Sequence, residues 1–429
     1  MKIAILGCGT VGSGACKLLI QNASEIAKRA GEEIVIKKVL ARTPKKAYDA
    51  GLDKSQICTS FEEILNDDEI SLVIEAMGGI DFAYDCIIKS MEKGKNVITA
   101  NKDLIAIKGK EIFETAERNN VDIMFEASVG GGIPVIGVIK NMLCGNKFSY
   151  IMGILNGTTN YILTKMDKER LSYDEALAEA MALGYAEPDP TADVEGLDPA
   201  RKIAILASLG FNAICTLDEV YSEGITKIES SDIDIAKHYG YVIKLVALAK
   251  EKNGEIVLFV RPVFIPKSHP LASVNDSFNA VVIKADAIDE MMLYGRGAGS
   301  LPTASSIVGD VMAIAKNIST KTTGKDPYKF YNTKKVVSVN SIDSNFVVRL
   351  DIADEPNSLA NVTKAFAKEN ISIKTILQPI KEENQASNLI IITHKTKEKN
   401  IESAVQKLQN SECVRKVKMF MCFDSIDDI

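Results

Sequence analysis

Short runs of apolar, often β-branched residues alternate with amphipathic stretches along the first third of the chain. A short apolar run bounded by polar or glycine positions predicts a strand, and apolar residues spaced three or four apart predict a helix. Such alternation predicts a doubly wound α/β domain with a parallel sheet over residues 1–130. The predicted strands are Lys2–Leu6, Ile34–Ala41, Leu72–Glu75, Asn96–Thr99 and Asp122–Phe125, and the predicted helices are Ala15–Ala30, Phe61–Asn66, Tyr84–Lys93 and Lys110–Asn119.

The middle of the chain, residues 131–294, mixes longer helices with strands, which predicts an α+β domain. Its clearest helical patterns are Tyr173–Leu183, Pro199–Leu209 and Ile233–Lys250. A polar, strand-poor stretch near Asn317–Lys335 predicts a linker to the last part of the chain.

The tail, residues 345–425, has a third pattern in the order β-α-β-β-α-β, which is typical of a ferredoxin-like domain. In its first helix Leu359, Val362 and Phe366 share one apolar face. The predicted strands are Phe346–Ile352, Ile371–Leu377, Asn388–Thr393 and Val414–Phe423, and the predicted helices are Ser358–Lys368 and Ile401–Leu408.

Composition narrows the class of protein. The chain has 429 residues, enough for two or three domains, and 46% of them are hydrophobic. A net charge of -6 gives no general attraction to nucleic acid or an anionic membrane, and we find no apolar stretch long enough to span a bilayer. Eight scattered cysteines without CxxC spacing predict packed, reduced thiols in a cytoplasmic protein.

Gly7, Gly9, Thr10, Val11 and Gly12 belong to a GxGxxG motif between the first predicted strand and a helical pattern. The first glycine permits a tight turn, the second lets the backbone approach a pyrophosphate, and the third packs the helix on the strand. Free N–H groups at the helix start then hold the phosphates. This context predicts a Rossmann-like dinucleotide site; the alternative is a glycine turn with a structural role only.

The end of the second predicted strand indicates which dinucleotide is used. NAD-selective sites usually carry Asp or Glu there to bind the ribose 2′-hydroxyl. This strand instead leads into Arg42 and a basic cluster, and the planar guanidinium could pair with a 2′-phosphate. NADP(H) is therefore favoured and NAD(H) is possible; the alternative for Arg42 is a solvated surface arginine.

Two segments carry candidate chemistry. Thr99, a candidate cofactor-binding residue, and Lys102 lie at the carboxyl end of a predicted parallel strand, where open α/β sheets bind ligands. A later acidic segment offers carboxylates for a substrate ammonium and ends in two cations for a carboxylate. Asp198 in that segment has a simpler alternative as the N-cap of the following helix, and Lys202 as its surface ion-pair partner.

Six stretches resemble the successive motifs of homoserine dehydrogenases, in that family's order. They are GCGTVGSG, TANK, EASVGGGIP, LNGTTNYIL, GYAEPDPTADVEGLDPARK and GRGAGSLPTASSIVGD, and they run from residue 7 to residue 310. The resemblance implies an NAD(P)-dependent oxidoreductase that interconverts L-homoserine and L-aspartate 4-semialdehyde in threonine, methionine and isoleucine biosynthesis. It also implies that residues 131–294 form the catalytic and dimerisation domain of a homodimer or homotetramer.

The same resemblance implies roles for single residues. Lys202 matches the family's acid–base lysine, and Lys102 matches the lysine that contacts both cofactor and substrate. We hypothesise that the two approach each other across a cleft, since a neighbouring ammonium favours the neutral lysine that a base requires. Glu187 and Asp198 match the acids that bind the homoserine amino group. The matching residues of the substrate pocket are Tyr185, Gly157 and Thr158.

Two glycine-rich loops extend the resemblance. One is similar to the family's monovalent-cation loop, in which backbone carbonyls suit a hard ion such as Na⁺; the alternative is a turn joining two domains. The other, around Gly297, is similar to a loop that closes over the nicotinamide, and we expect residues of about 295–320 to return to the first domain. The positions that match the cation ligands are Glu126, Val129, Gly131 and Ile133.

The tail resembles an ACT regulatory domain. Asp354, Asn357 and Leu359 lie at the first strand-to-helix turn, where such domains commonly show the pattern Asp-x-Pro-Gly-x-Leu. Asn357 replaces the glycine, and Asn tolerates left-handed backbone better than most residues. The resemblance implies feedback inhibition by an end-product amino acid, with threonine as the expected effector. The alternative is an ACT domain that serves structure or dimerisation alone.

Two other functions fit parts of the pattern. An aspartate-semialdehyde dehydrogenase needs a nucleophilic cysteine, and Cys144, the one candidate in a predicted loop, lies in no obvious activating setting. A non-catalytic sensor of NADP(H) and an amino acid would account for the tail. Such a sensor has no need to retain Glu187, Asp198 and Lys202 together, which favours the enzyme.

Overall fold

The first part of the chain forms a parallel sheet with helices on its faces. A computed structural model of the protein describes residues 1–378 and 387–422. The strands are β1 (Lys2–Leu6), β2 (Val35–Leu40), β3 (Ile57–Cys58), β4 (Ile70–Glu75), β5 (Asn96–Thr99) and β6 (Ile123–Met124). The helices are α1 (Thr10–Gln21), α2 (Ala23–Ala30), α3 (Lys45–Tyr48), α4 (Glu62–Leu65), α5 (Asp81–Glu92) and α6 (Lys102–Arg118).

The strands of this sheet lie in the order β3-β2-β1-β4-β5-β6, and each neighbouring pair is parallel. Residues Ile3–Leu6 of β1 are fully buried, as expected for a strand covered on both faces. The predicted Rossmann-like fold is confirmed. Because the strand order reverses between β1 and β4, ligands are expected outside the carboxyl ends of these strands.

The middle of the chain builds a second sheet and the helices that cover it. Its strands are β7 (Phe148–Ile154), β8 (Tyr221–Ser222), β9 (Tyr241–Lys252), β10 (Glu255–Pro266), β11 (Phe278–Ala285) and β12 (Asp289–Arg296). Its helices are α7 (Val135–Gly137), α8 (Gly157–Glu169), α9 (Tyr173–Ala182), α10 (Thr191–Val194), α11 (Leu197–Phe211) and α12 (Ser230–His238), and α13 (Ser300–Thr320) comes next in the chain.

Helix α13 returns to the first part of the chain, as expected. It packs against α1, and the Ser300 hydroxyl donates a hydrogen bond of 2.8 Å to the carbonyl of Thr10. A Cβ atom on Gly14 of α1 would lie 2.5 Å from that hydroxyl, so the two helices approach closely. The end of the middle region is thereby fixed against the glycine motif.

Two predicted helices are wrong in extent or type. The pattern Ile233–Lys250 is not one helix, because α12 ends at His238 and β9 begins at Tyr241. Residues 243–249 form a buried, nearly continuous apolar run, which periodicity alone cannot assign to helix or strand. The pattern Ala15–Ala30 is divided between α1 and α2 at Asn22.

The tail has the predicted order of elements. Its four main strands form an antiparallel sheet in the order β18-β14-β16-β15, as a ferredoxin-like domain requires. Of the predicted tail, residues 379–386 and 423–425 lie outside the described residues. The elements are β13 (Lys335–Val336), β14 (Asp343–Ile352), α14 (Ser358–Lys368), β15 (Ile373–Leu377), β16 (Ser387–Thr393), β17 (Thr396–Lys397), α15 (Glu398–Gln409) and β18 (Val414–Cys422).

The tail is joined to the middle region by backbone pairing and by buried charges. β18 lies parallel to β10, so the two sheets form one continuous sheet. Arg261 of β10 is 2% exposed, and its Nη1 lies 2.5 Å from Oε1 of Glu398 in α15. In addition, Nη1 of Arg349 in β14 lies 2.5 Å from Oδ1 of Asp232 in α12. Buried ion pairs therefore join the tail to β10 and α12.

Among the described residues, no helix has the length and apolar character needed to cross a membrane.

Candidate active site

The cleft between the first sheet and the middle region has a volume of about 770 Å³. It opens beside the carboxyl ends of the parallel strands, where the fold predicts a ligand site. Among the residues that line it are these predicted members of the site: Val11, Lys102, Gly131, Gly157, Thr158, Tyr185, Glu187, Asp198, Lys202 and Gly297. The structure therefore brings the predicted catalytic, substrate and nicotinamide residues together.

The glycine motif has the geometry that a pyrophosphate requires. Gly7 has a φ of +92°, and a Cβ atom on Gly12 would lie 2.0 Å from the carbonyl oxygen of Gly7, so helix α1 packs directly on the turn. A Cβ on Gly9 would meet no atom within 4 Å. The space above Gly9 at the start of α1 is open, which fits a phosphate held by backbone N–H groups.

Glu75 organises the neighbouring loops, and no role was predicted for it. It ends β4 with a fully buried side chain, and its Oε1 accepts hydrogen bonds of 2.7 Å and 3.3 Å from the N–H groups of Met77 and Gly78. Its Oε2 accepts a hydrogen bond of 2.6 Å from the hydroxyl of Thr99. Thr99 is fully buried, so its side chain supports the loop rather than facing the cleft.

Asn101 connects the loop after β4 to the start of α6, where Lys102 lies. Its Oδ1 accepts from the N–H of Leu104 and caps α6, while its Nδ2 donates to the carbonyl of Gly79 at 2.6 Å. Lys102 is therefore the first residue of a capped helix that is also tied to the loop after β4. Its side chain extends from this fixed point into the cleft.

Asp198 joins the two predicted catalytic lysines. Its Oδ2 lies 2.8 Å from Nζ of Lys202, and its Oδ1 lies 3.3 Å from Nζ of Lys102. The hypothesis that the lysines approach across the cleft agrees with this geometry, but a carboxylate lies between them. The alternative of Asp198 as an N-cap is wrong, because Gly196 is the N-cap of α11 and Asp198 lies in its first turn.

The surroundings of Asp198 keep it ionised. Burial alone would raise its pKa, but the charges of Lys202 and Lys102 outweigh burial, so the pKa of this carboxyl lies below its ordinary value. The alternative of Lys202 as a surface ion-pair partner is also wrong, because Lys202 is 8% exposed. Nζ of Lys202 donates to Asp198 and, at 2.7 Å, to the carbonyl of Leu155. An ammonium has three N–H donors, so one remains for a ligand.

Asn156 and Asp193 form a second layer around Asp198. Asp193 belongs to the predicted acidic segment, whereas no role was predicted for Asn156. Nδ2 of Asn156 donates to Asp198 at 2.8 Å and to Asp193 at 2.7 Å, while its Oδ1 caps α8. Thr158 donates to the other oxygen of Asp193 at 3.1 Å. Burial raises the pKa of Asp193 above its ordinary value. These contacts fix the start of α8, and with it Gly157, against Asp198.

Tyr185 and Glu187 lie at the mouth of the cleft. Tyr185 is 43% exposed, its ring centroid lies 4.9 Å from that of Tyr161, and its carbonyl accepts a hydrogen bond from Thr158. Glu187 is exposed and forms no ion pair with any residue that the structure describes. Its carboxylate therefore remains available to a cationic group.

Arg42 is not among the residues that line the cleft. It follows β2, the strand beside β1, and is exposed together with Lys45 and Lys46. No carboxylate within the described parts of the chain lies within ion-pair distance of Arg42. The surface around Arg42 is therefore basic and open to solvent.

The two glycine-rich loops pack against each other. A Cβ on Gly131 would lie 2.5 Å from the carbonyl oxygen of Gly297, and its φ is +54°. Gly132 donates an N–H hydrogen bond of 3.0 Å to the carbonyl of Arg296. The predicted cation loop thus packs directly against the predicted nicotinamide loop.

Three of the four backbone carbonyls predicted to hold a cation, those of Glu126, Gly131 and Ile133, already accept hydrogen bonds from the protein. The carbonyl of Gly131 accepts from Ser306 at 2.6 Å, and that of Ile133 accepts from the N–H of Val135 at 2.8 Å. The carboxylate of Glu126 accepts from the N–H groups of Ile136 and Gly137. A carbonyl oxygen has a second lone pair, so the backbone set, with Val129, retains some capacity for a monovalent ion. No cluster of acidic, His or Cys side chains suited to a metal occurs in the described ranges.

The predicted effector turn lies in the tail, outside this cleft. Asn357 has a φ of +74° immediately before α14, so it adopts the left-handed backbone expected at the glycine position. Leu359 is 42% exposed beside it.

Comparison with known proteins agrees with this geometry. Residues 7–126 match the family model described as the NAD-binding domain of homoserine dehydrogenase, and residues 134–312 match the homoserine dehydrogenase model. A homoserine dehydrogenase of Bacillus subtilis (strain 168) is 39% identical over 419 residues, which cover 97% of each chain. The chain belongs to the homoserine dehydrogenase family.

Solved structures of homoserine dehydrogenases extend the similarity to the whole fold. That of Thiobacillus denitrificans has a TM-score of 0.93 at 35% identity, over 99% of this chain and 98% of its own. A mutant of a hyperthermophilic archaeal homoserine dehydrogenase, in complex with NADPH, has a TM-score of 0.63 at 26% identity, over 75% of this chain and 98% of its own.

As a homoserine dehydrogenase, the chain is an NAD(P)-dependent oxidoreductase that interconverts L-homoserine and L-aspartate 4-semialdehyde. The predictions of fold class, family and enzyme class are confirmed.

Proposed function

We propose that the enzyme reduces L-aspartate 4-semialdehyde with NADPH and that Lys202 provides the proton. The observation that carries this proposal is the position of Lys202, which is held by Asp198 and the Leu155 carbonyl with one N–H left for a ligand in the cleft. A bound nicotinamide supplies the hydride. Lys202 donates its proton to the aldehyde oxygen as that oxygen gains the carbonyl electron pair, and in the reverse direction it removes the hydroxyl proton.

Lys102 and Asp198 set up this proton transfer. Because Asp198 contacts both ammonium groups, it balances part of their charge and fixes Lys202 in one orientation. Lys102, at the capped start of α6, contributes a second cation beside the developing negative charge on the substrate oxygen. We assign Lys102 to contact with both cofactor and substrate.

Glu187 and Asp198 are the candidate partners of the substrate ammonium. Asp198 already balances two lysines, whereas Glu187 forms no ion pair with the described residues. We therefore expect Glu187 to provide most of the attraction for the ammonium, while Tyr185, Gly157 and Thr158 shape the pocket around the carbon chain.

The choice of NADPH over NADH rests on Arg42 and the absence of an acid at the end of β2. The archaeal relative bound to NADPH supports this choice. The proposal is tested by following absorbance with purified protein, L-aspartate 4-semialdehyde and either NADPH or NADH. Turnover at least tenfold more efficient with NADPH is expected. NADPH binding without turnover with either cofactor would instead support the sensor.

A monovalent cation and an amino-acid effector complete the proposed function. We expect Na⁺ at the carbonyls of Glu126, Val129, Gly131 and Ile133, where it would stiffen the floor of the cleft; replacing Na⁺ with choline tests this. We expect threonine at Asp354, Asn357 and Leu359, supported by the left-handed Asn357. Inhibition of turnover by threonine is the test.

The edge of the second sheet supports a homo-oligomer. Within the described residues, β12 lies at the edge of this sheet, pairs only with β11 and exposes Met292 and Tyr294. An unpaired edge strand with apolar side chains is suited to pairing with a second copy. A homodimer or homotetramer is the expected state. Size-exclusion chromatography with light scattering measures the molar mass that distinguishes them.

A further inference from the structure

Four cationic side chains line the active-site cleft, and three of them already have a carboxylate partner. Lys102 and Lys202 share Asp198, and Nε of Arg201 lies 2.6 Å from Oδ1 of Asp103. Arg296 has no carboxylate within ion-pair distance among the described residues. It is therefore the uncompensated positive charge of the described part of this cleft.

Arg296 is held in a fixed orientation. Its Nη1 donates a hydrogen bond of 2.9 Å to the Ser277 hydroxyl, and its guanidinium lies 4.1 Å from the ring centroid of Phe278. Stacking on an aromatic ring and a neutral hydrogen-bond partner orient an arginine without neutralising it. Such an arrangement suits the recognition of an anion.

Asn279 provides a second polar group at the same wall. It is 1% exposed, it lines the cleft, and its Oδ1 is buried without a hydrogen-bond partner among the described residues. A buried polar atom without a partner is costly, and its presence points to a ligand. A rotation of the amide by 180° would exchange the oxygen and the nitrogen, so either end can face a ligand.

The amide of Asn279 lies between the substrate and nicotinamide sides of the cleft. A Cβ on Gly297 would lie 2.0 Å from Nδ2 of Asn279, and a Cβ on Gly157 would lie 3.6 Å from its Oδ1. The same Cβ on Gly157 would lie 2.8 Å from the carbonyl of Ser277. Arg296, through Ser277, thus lies beside the start of α8, where Gly157 and Thr158 also line the cleft.

We propose that Arg296 and Asn279 form the subsite for the α-carboxylate of the substrate. The inference rests on the proposed function, which requires a substrate that carries an ammonium, a carboxylate and a reacting oxygen. In the proposed function Lys202 contacts the reacting oxygen and Glu187 contacts the ammonium. An arginine without a carboxylate partner is well suited to bind the remaining carboxylate. Arg296 is such an arginine, and Asn279 provides an N–H donor beside it. The subsite selects amino acids over simple amino alcohols.

The test compares L-homoserine with 3-aminopropan-1-ol, which lacks only the carboxylate and is measured as a competitor. In Arg296→Met, the KM for L-homoserine should rise about 10- to 100-fold, as expected for a lost charged hydrogen bond. The inhibition constant of 3-aminopropan-1-ol and the KM for NADP⁺ should stay within about twofold of wild type. The matched control is Arg29→Met, a change of an exposed arginine outside the cleft, which should alter none of these constants.

A second variant keeps the test decisive if Arg296→Met folds poorly. Asn279→Asp preserves size but places a negative charge at the subsite, so the KM for L-homoserine should rise while the competitor binds as well or better. A rise in the KM for NADP⁺ alone would show that the anion is a cofactor phosphate and would overturn the proposal. Unchanged KM values in both variants would also overturn it. Absence of turnover in the wild type would reject the proposed function instead.

Discussion

Lys202 lies one helical turn after Asp198, and its Nζ is 2.8 Å from Oδ2 of that residue inside the cleft. The spacing of four along α11 places both side chains on one face of the helix. The pair is buried and also contacts Lys102 and Asn156. An exposed ion pair would add little stability. In the proposed mechanism, this buried pair instead holds Lys202, the proposed proton donor, in one orientation.

Asp198→Asn should lower kcat by at least tenfold with little change in the affinity for NADPH. The amide keeps the size of the side chain but leaves two ammonium groups without their shared negative charge, so Lys202 loses its fixed orientation. Steady-state kinetics and a fluorescence titration of NADPH measure the two effects. Asp174→Asn, at the equivalent position in the first turn of α9, is the control for the loss of an acid near a helix start. Equal losses in both variants would contradict a specific role.

Arg42→Ala should reduce the preference for NADPH. The guanidinium is expected to pair with the 2′-phosphate, and a charged hydrogen bond contributes about 1.5–3 kcal/mol. The KM for NADPH should therefore rise about 10- to 100-fold, while the KM for NADH, which lacks that phosphate, should not change. The KM for NADH, measured on the same variant, is the control for the KM for NADPH. An equal change with both cofactors would indicate a general effect on the fold.

The titration of Lys244 should make the free energy of unfolding depend on pH in the alkaline range. Burial lowers the pKa of this lysine from 10.5 to about 8, and its Nζ donates to Asn160 and to the carbonyl of Val274. Below pH 8, Lys244 is protonated in both the folded and the unfolded state, so the folded protein contains a buried positive charge. Between pH 8 and 10.5 the folded state binds fewer protons, so the free energy of unfolding rises with pH, by up to about 3 kcal/mol.

Lys244→Met removes this titration and provides the comparison. The difference in unfolding free energy between wild type and variant, measured by urea denaturation, should move in favour of the wild type as the pH rises from about 7.5 to about 10. A difference that is independent of pH would show that Lys244 does not titrate in this range.

Arg261→Met should weaken the junction between the tail and the catalytic region. It leaves the buried Glu398 without its counter-charge, and breaking a buried pair costs about 3–5 kcal/mol. Adding Glu398→Gln in the same chain should restore part of the loss, since it removes the isolated charge. Thermal unfolding of the two single variants and the double variant measures the coupling. Additive losses would contradict a direct interaction.

The sequence predicts the parallel sheet well because its strands are short apolar runs separated by clear helical patterns. The prediction from sequence fails at β9. Because both faces of this strand are buried, apolar and polar residues do not alternate along it, and the pattern cannot be distinguished from that of the preceding helix. The Asp198–Lys202 contact is expected from a spacing of four within one helix. Glu75, Asn156 and Arg296 could not be found in this way, because their partners are distant in the chain and meet only in the folded protein.

The loss of the proton-transferring lysine tests the central claim most directly. For Lys202→Ala, kcat for the reduction of L-aspartate 4-semialdehyde should fall about 10²- to 10⁴-fold, the usual contribution of a positioned acid or base. The dissociation constant of NADPH should remain within about twofold of wild type, because the glycine motif and Arg42 are unchanged. A kcat close to that of wild type, in a variant that binds NADPH normally, would contradict the account.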